Sequence, residues 1–447
     1  MSLEAAIAAH SFGLGARPGE VEAAGSAPRD WLMSQLSRPV PQPRPFSGDA
    51  FRSGGELAAG FLKLRKMQKD PTALLAAFKT HAQSYVREMG ARFAVGFSTK
   101  QPFAERLVWF WSNHFAVSAQ NPRAIAVAGA FEREAIRPNI SGKFEDMLLA
   151  AVRHPAMQLY LDNAQSIGPH SLAGRIVNRG LNENLGRELM ELHTLGVDGG
   201  YTQDDVVALA KLLTGWSIDP DGGGRNGFRY YPIRHEPGDI VLRGKTYPSG
   251  EDGGITALKD LAHDPATARH IARKFAVHFI ADEPPKESVA RLEAVFNSTG
   301  GDLMALAEAA VNDPLAWKAD KKMRSPVEYV TAAYRLMNWP HGGDIDQQLK
   351  GAMAAARLMG QFPLAAPSPK GWPDNSESWS GPDAILNRIQ WAREVGNRLP
   401  DSFDPLALAE ASMGPLLQSD THTAMTKAAS AGEAVALLLC SPEFQRR

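Results

Sequence analysis

The segment NENLGRELMELHTLGVDGG, residues 182–200, places four acidic groups, an arginine, two asparagines and a histidine in a leucine-rich helical pattern. On a helix that advances about 100° per residue, the polar side chains share one face and the leucines occupy the opposite one. That face consists of Glu183, Asn184, Arg187, Glu188 and Glu191. Glu188 and Glu191 suit a general base, a carboxylate pair of unequal acidity or a shared divalent metal. Arg187 suits the orientation of a carboxylate or an anionic substrate.

Intrahelical ion pairs explain most of the polar residues on this face without a reactive site. Two i,i+4 pairs centred on Arg187 have the spacing of intrahelical ion pairs, which need no chemistry. Glu188 and Asn184 are left over, so their exposure decides between a solvated face, a closed network and a pocket. His193 lies about 200° round the helix from Glu191, so we expect it to pack near the leucines and bond a backbone carbonyl. The sequence leaves both explanations open.

Three further sets of polar residues lie outside this helix. Asp162 and Asn163 follow an apolar helical pattern, where local bonds to the backbone at a helix end are the commoner explanation. His235 and Asp239 lie in RHEPGD, an irregular loop whose polar groups suit turn formation and substrate binding equally well. The segment ATARHIARKFAVHFI has two histidines eight residues apart among basic residues, and an amphipathic surface explains this pattern.

Apolar residues at helical spacing run through most of the chain, often after recognisable helix start signals. In STKQPFAERLVWFWSNHF, Ser98 and Gln101 have the spacing of a capping box, and Pro102 lies in the first turn. In GYTQDDVVAL, Thr202 is expected to cap a helix with Asp205 at its third position. The sequence therefore predicts a mainly α protein built as a large multi-helix domain.

Two stretches depart from the helical pattern. Residues 228–247 alternate aromatic and β-branched residues with polar ones, which predicts a small β-hairpin insertion. Residues 361–382 are irregular, and such a stretch in a compact domain is more often functional or well anchored than idle, with Trp372 and Trp379 as anchors. A proline-rich connector ends at Phe46, so residues 1–46 form a candidate N-terminal subregion.

Composition argues against several classes of function. With a net charge of -1 over 447 residues and a pI of about 6.9, the chain lacks the global field expected of a nucleic-acid-binding protein. The single cysteine, Cys440, excludes an intrachain disulfide. No segment has the roughly 18 apolar residues of a membrane span, and no signal peptide is evident, so we expect a soluble protein of the cytoplasm or periplasm. P-loop, dinucleotide-binding, HExxH and nucleophile-elbow motifs are also absent from the sequence.

Several motifs together resemble a bacterial family, the domain of unknown function 1800. They include ERLVWFWSNHFAVS, HPAMQLYLDNAQSIGP, GLNENLGRELMELHTLGVDGGYTQDDVVALAKLLTGW, HEPGDIVLRGKTY and PSPKGWPDNSESW. The resemblance covers nearly the whole chain and implies one large helical domain over residues 1–447. It implies no reaction, but members often look exported and commonly neighbour a gene for a protein resembling the phosphatase and sulfatase group. The polar positions in the family pattern include Asp162, Asn163, Asn182, Glu183, Asn184, Arg187, Glu188, Glu191, His193 and His235.

We predict a hydrolase with a carboxylate, histidine and arginine site and with a divalent metal as a candidate cofactor. Glu188 or Glu191 would be the general base or a metal ligand. Arg187 would orient an anionic group, and His235 would be an acid or a ligand. The accompanying binding residues would be Asp162, Asn163, Asn184, His193 and Asp239. The alternative is a non-catalytic helical partner or maturation protein for a phosphatase- or sulfatase-like protein, in which these residues form a structural network.

Overall fold

Helices make up most of the regular structure in the computed structural model, which describes residues 1–46, 48–66, 71–177, 180–223, 226–318, 322–340, 343–399 and 403–447. The α-helices before the strands are α1 (Leu3–Ile7), α2 (Glu20–Ala24), α3 (Pro28–Met33), α4 (Gly54–Lys66), α5 (Pro71–Ser98), α6 (Pro102–His114), α7 (Ala128–Phe131), α8 (Phe144–Arg153), α9 (Pro155–Tyr160), α10 (Leu172–Val177), α11 (Asn184–Glu188) and α12 (Gln203–Leu212). Those after the strands are α13 (Glu251–Ala262), α14 (Pro265–Phe279), α15 (Lys286–Ser298), α16 (Leu303–Val311), α17 (Pro326–Leu336), α18 (Ile345–Leu358), α19 (Pro382–Gly396), α20 (Pro405–Met413), α21 (Ser419–Thr426), α22 (Ala431–Cys440) and α23 (Pro442–Gln445). The predicted mainly α fold is confirmed.

Two small antiparallel pairs of strands interrupt the helices in the part of the chain that the structure describes. Strand β1 (Trp216–Ile218) pairs with β2 (Phe228–Tyr230), and β3 (Ile240–Leu242) pairs with β4 (Lys245–Tyr247). The β insertion is therefore confirmed, but it begins earlier than the predicted residues 228–247. All three residues of β1 are buried, so this strand lacks the alternation of polar and apolar residues that marks a half-exposed strand.

Helix starts agree only in part with the capping signals. Thr202 caps α12 and forms a capping box with Asp205, as predicted. The box predicted from Ser98 and Gln101 is wrong, because Ser98 still belongs to α5 and its hydroxyl donates to the carbonyl of Ala94 at 2.7 Å. The N-cap of α6 is Gln101 itself, without a side-chain cap, and Pro102 occupies the first turn as expected.

Within the described ranges, three π-helical turns lie at the ends of α-helices, over Ala8–Phe12, Glu132–Ile136 and Leu189–His193. A π turn adds one residue relative to an α turn and rotates the side chains that follow it. The helix predicted within residues 182–200 therefore changes from α to π geometry after Glu188. This change alters which side chains of the segment share a face.

The N-terminal segment packs on the C-terminal half of the chain through buried side chains. The carbonyl of Gly15 accepts from Nε of Arg335 at 2.7 Å, and Arg335 also pairs with Glu20. Gly15 has a φ of +92°, and a Cβ there would lie 2.7 Å from the Cβ of Ala332, so only glycine permits this approach. His10 bonds the carbonyl of Ser412 at 2.9 Å. The single domain over residues 1–447 stays a prediction that these contacts favour.

Helix α6 is almost entirely buried, and its two adjacent charged residues are both paired. Glu105 is fully buried and forms an ion pair with Arg137. Arg106, also buried, pairs with Glu328 of α17 at 2.5 Å. These pairs hold α6 in the centre of the molecule, where its remaining face can border a cleft. None of the helices in the described ranges combines the length and the apolar character needed to cross a bilayer.

Candidate functional site

A cleft with a volume of about 760 Å³ lies between α6 and α14. Its other walls are the start of α17, the irregular residues 361–379 and the π turn after α11. We call it the α6–α14 cleft. The irregular segment singled out in the sequence is therefore a cleft wall, and both predicted anchors, Trp372 and Trp379, line it.

Helix α14 presents a polar stripe to this cleft. His270, Lys274 and His278 follow one another at intervals of four residues, which places them on one helix face, and all three line the cleft. The amphipathic-surface interpretation of this segment is wrong for His278, which is only 9% exposed. The pKa of His270 and that of His278 are each lowered to about 4, mainly by burial, so both rings are neutral at pH 7.

Lys274 is held by a histidine and not by a carboxylate. Its Nζ lies 3.0 Å from Nδ1 of His114, and its described contacts include no carboxylate within ion-pair distance. Burial, together with the charge of Lys370, lowers the pKa of Lys274 to about 8, although Asp374 acts in the opposite direction. A lysine with a pKa near neutrality in a cleft is a candidate reactive group.

On its opposite side, the ring of His114 is fixed by His193, the last residue of the π turn at Leu189–His193. Nε2 of His114 lies 3.1 Å from the carbonyl oxygen of His193, and Nδ1 of His193 lies 3.0 Å from the carbonyl oxygen of His114. A carbonyl can only accept, so Nε2 of His114 carries the proton and its Nδ1 accepts from Lys274. Burial lowers the pKa of His193 to about 3 and that of His114 well below its usual value. The predicted bond of His193 to a backbone carbonyl is confirmed.

The π turn at Leu189–His193 brings Glu191 and Leu192 to the cleft wall and His193 behind it. The carbonyl of Leu192 lies 3.0 Å from Nε2 of His270, which ties this wall to α14. Glu191 is half-buried, and the structure gives it no hydrogen-bond or ion-pair partner within the described ranges. Of the four predicted catalytic residues, Glu191 is the one that lines the α6–α14 cleft.

Arg187 and Glu188 lie on the same helix but outside the cleft lining. Arg187 pairs with Glu183 at 3.1 Å across two side chains that are 41% and 36% exposed, and it also donates to Gln203 at 2.9 Å. An exposed pair of this kind contributes little stability. The predicted pair with Glu191 is not formed between these described residues, because the intervening π turn changes the spacing.

Glu188 and Asn184, the two residues that the ion pairs leave unexplained, differ in their exposure. Glu188 is half-buried, and burial, with the charge of Glu191 as a smaller contribution, raises the pKa of its carboxyl despite Arg187. Its negative charge contributes to raising the pKa of Tyr160 to about 12, after burial. Asn184 is exposed at a shallower opening of about 530 Å³ lined by residues 180–184 and 165.

His235 and Asp239 lie in the loop between the two hairpins. His235 is buried, its Nδ1 lies 2.9 Å from the carbonyl oxygen of Thr214, and its Nε2 accepts from the backbone N–H of Gly250 at 2.8 Å. Both ring nitrogens are therefore used in holding the loop. Asp239 is exposed. Neither residue lines the α6–α14 cleft in the described structure.

Asp162 and Asn163 complete a helix end. Asp162 has a φ of +59° and forms an ion pair with Arg123. The amide of Asn163 is buried and donates to the side chain of Gln158 at 2.9 Å and to the carbonyl of Trp216 at 3.1 Å. These bonds anchor the turn after α9 to strand β1, so they reach further along the chain than the local backbone bonds expected at a helix end.

The predicted metal ligands are not gathered in one place. Within the described ranges, no group of three or more histidine, cysteine, aspartate or glutamate side chains has an arrangement that could hold a metal ion. Glu191 faces the α6–α14 cleft, Glu188 lies outside its lining, and His235 is bonded within its own loop.

A second polar group in the cleft was missed by sequence reasoning. Nδ1 of His278 lies 2.6 Å from Oδ2 of Asp374, and Lys322 lies 2.9 Å from Asp282 and 3.3 Å from Asp374. Asp374 follows Trp372 in the irregular wall, 96 residues from His278 along the chain. The four-residue spacing of polar side chains on α14 was the one local signal that could have drawn attention to this face.

The chain was compared with protein families, curated proteins and solved structures. A family model described as "Protein of unknown function (DUF1800)" matches residues 7–446. No curated protein and no solved structure matches the chain.

Proposed function

From the premise that the chain belongs to the DUF1800 family, we propose that it is a hydrolase whose reaction takes place in the α6–α14 cleft. The observation that carries the proposal is the presence of Glu191 and Lys274 in one cleft lining. Glu191 is a half-buried carboxylate without a cationic partner, and Lys274 is a half-buried amine without a carboxylate partner, among the described contacts. A complementary pair of this kind supports acid–base chemistry on a bound ligand.

In the proposed reaction, the carboxylate of Glu191 accepts a proton from a water molecule, whose oxygen attacks the electrophilic atom of the substrate. The ammonium group of Lys274 donates a proton to the leaving oxygen. His114 is a positioning residue, because its neutral Nδ1 directs the amine of Lys274. The charged form of Lys274 predominates at pH 7, since its pKa is about 8.

The remaining predicted site residues have supporting positions in this proposal. Arg187 and Glu188 belong to the helix that leads into the π turn, and His193 holds His114. A divalent metal is not required by the two-residue scheme. Direct catalytic roles for Arg187, Glu188 and His235 stay predictions.

The test is a substrate panel of carboxylate, phosphate and sulfate esters measured with the wild-type protein and three variants. We expect Glu191→Gln and Lys274→Met to lose at least about 100-fold in kcat on the active class, as removal of a general base or acid does. Glu188→Gln, outside the cleft lining, should stay within about threefold. A loss as large as that of Glu191→Gln would assign the general base to Glu188 and contradict the role of Glu191. Absence of hydrolysis across the panel, or hydrolysis that survives both variants, would count against the proposal.

A second candidate function, a non-catalytic partner or maturation protein, is favoured by one surface. Leu172, Ile176 and Val177 of α10 are 67%, 82% and 50% exposed, and Ile233 of the adjoining turn is 57% exposed. An apolar patch of this kind on a folded surface suits a protein interface. Coelution of the wild type, but not of Ile176→Glu, with the phosphatase- or sulfatase-like neighbour would support this role. Equal behaviour of the two chains would exclude this surface as the interface.

A further inference from the structure

We propose that Lys274 is a covalent attachment point, at which its amine condenses with small carbonyl compounds that carry an anionic group, such as 2-oxo acids. This assignment concerns the cleft of the proposed hydrolase but goes beyond it, because imine formation needs no hydrolytic turnover. The structural basis is a half-buried amine on the lining of a cleft of about 760 Å³.

The hydrogen-bond pattern leaves the nitrogen of Lys274 suited to nucleophilic attack. His114 accepts one N–H through Nδ1 at 3.0 Å, and that acceptor role is fixed because Nε2 of His114 donates to the carbonyl of His193. A neutral amine keeps its lone pair in this arrangement. No carboxylate within the described contacts forms an ion pair that would hold the nitrogen as ammonium.

The electrostatic surroundings also favour the neutral, nucleophilic form of the Lys274 amine. The titratable groups closest to the amine in effect are His114, His193, His270, Lys370 and Asp374. The other charged or titratable groups of the cleft lining are Arg92, Glu191, Arg273, His278, Asp282, Glu283, Lys322, Glu328 and Glu377. Burial lowers the pKa of Lys274 to about 8, and Lys370 contributes to this shift, whereas Asp374 opposes it. At pH 7 roughly one amine in ten is unprotonated, on the order of 10²-fold more than for an ordinary lysine.

Lys322, a second lysine of the described cleft lining, is already engaged by carboxyl and carbonyl groups. It lies 2.9 Å from Asp282 and donates to the backbone carbonyl of Asp374 at 2.8 Å. Lys370 is exposed, and Arg273, next to Lys274, is exposed as well. Both line the cleft without a carboxylate partner among the described residues, so they suit the anionic group of a ligand bound to Lys274.

The reaction balances without an oxidant or a reductant. The lone pair of the Lys274 nitrogen attacks the carbonyl carbon, the carbon–oxygen π electrons move to oxygen, and a proton passes from nitrogen to oxygen. Loss of water from this carbinolamine leaves the imine. One amine and one carbonyl compound therefore give one imine and one water molecule.

The experiment treats the full-length protein with glyoxylate and cyanoborohydride between pH 6 and 10, followed by peptide mapping of carboxymethyl-lysine. We expect Lys274 to be labelled at least tenfold faster than Lys370, with a rate that rises with pH and levels above about pH 8. Acetaldehyde, which lacks the anionic group, should react more slowly at Lys274. Equal preference for acetaldehyde would overturn the anionic-ligand part of the assignment.

Two variants distinguish a covalent site from general reactivity. Lys274→Arg should abolish the fast labelling phase, and Lys350→Ala, which removes an exposed lysine outside the cleft lining, should keep it. Circular dichroism should confirm that both chains are folded. Labelling at equal rates over many lysines, or a fast phase that persists in Lys274→Arg, would refute the inference. Glu191→Gln should lose hydrolysis and keep labelling, so failure of the attachment site and failure of the proposed hydrolase give different results.

Discussion

Nζ of Lys274 lies 3.0 Å from Nδ1 of His114, and the ring of His114 is fixed by the carbonyl of His193 at 3.1 Å. This relationship connects the π turn after α11 to the polar stripe of α14 through one buried ring. His193 therefore acts through His114 on the amine and does not itself line the cleft. The leucine-rich segment that suggested a reactive site thus contributes Glu191 directly and His193 indirectly.

Replacing Lys274 by methionine should stabilise the protein at neutral pH. Because the pKa of Lys274 is lowered from 10.5 to about 8 in the folded state, the charged amine opposes folding at every pH below 8. This effect diminishes as pH rises from 8 to 10.5 and is absent above that range. After loss of the bond to His114, we expect a net gain of about 1–3 kcal/mol in unfolding free energy at pH 7. Urea titrations across this pH range measure it.

Lys370→Met is the matched control for that experiment, since Lys370 is an exposed lysine in the lining of the same cleft. Its unfolding free energy should stay within about 0.5 kcal/mol of the wild type at every pH. A destabilised Lys274→Met at pH 7 would mean that the amine is held as a stabilising charge, which contradicts the described surroundings.

Local sequence patterns were sufficient for the fold class but not for the cleft. Helical spacing and caps such as Thr202 with Asp205 depend on residues within one or two turns, so they can be recognised in a single sequence. The π turn at Leu189–His193 has no such signature, and it separates Glu191 from Arg187. Predictions that assumed a continuous α-helix therefore gave the wrong partner for Arg187.

The residues that build the cleft are distant in sequence. His278 and Asp374 are 96 residues apart, and Lys274 and His114 are 160 apart. No spacing rule connects such pairs, because their proximity results from the packing of α6, α14 and the irregular wall. His235 shows the opposite error, in which a local pattern suggests a reactive residue that the structure uses otherwise. It lies in a polar loop, but both of its ring nitrogens are bonded to the backbone of Thr214 and Gly250.

The reciprocal hydrogen bonds between His114 and His193 should make the effects of mutating the two residues on the unfolding free energy non-additive. Each ring donates to the backbone carbonyl of the other residue, at 3.1 Å and 3.0 Å, in a site that is at least 99% buried. Phenylalanine at either position keeps an aromatic ring but leaves a carbonyl without its donor, which costs about 1–3 kcal/mol. In a double-mutant cycle we expect a coupling of about 1 kcal/mol. Additive effects would mean that the two bonds form independently.

Acidification should destabilise the protein through its buried histidines. The pKa values of His193, His270 and His278 fall to between about 3 and about 4 in the folded state, mainly through burial. The unfolded chain therefore binds protons near pH 6.5 that the folded chain does not, and stability is lost as pH falls below 6.5. Each ring contributes up to about 3 kcal/mol by pH 4.

The carboxyl group of Glu88 opposes this loss of stability at low pH. Burial raises the pKa of Glu88 to about 7, so the folded state binds a proton there between pH 7 and 4.5 and gains stability as pH falls. The histidines outnumber it, and the net slope between pH 6.5 and 4.5 should remain destabilising. Denaturation at half-unit pH steps measures this slope, and His278→Gln should reduce it, whereas the exposed His263→Gln should not. A flat profile over that interval would contradict the neutral, buried histidines.

Arg335→Ala should release the N-terminal segment. Arg335 is fully buried, donates to the carbonyls of Gly15 at 2.7 Å and Gly96 at 2.8 Å, and pairs with Glu20. Its removal leaves these groups unpaired and should cost about 3–5 kcal/mol. Limited proteolysis should then cut within the proline-rich connector at residues 40–46 at a denaturant concentration that leaves the wild type intact. Arg29→Ala, which removes an exposed pair with Glu4, is the control and should not change the cleavage rate. Rapid cutting of the wild type itself, with release of residues 1–39, would contradict a single domain over residues 1–447.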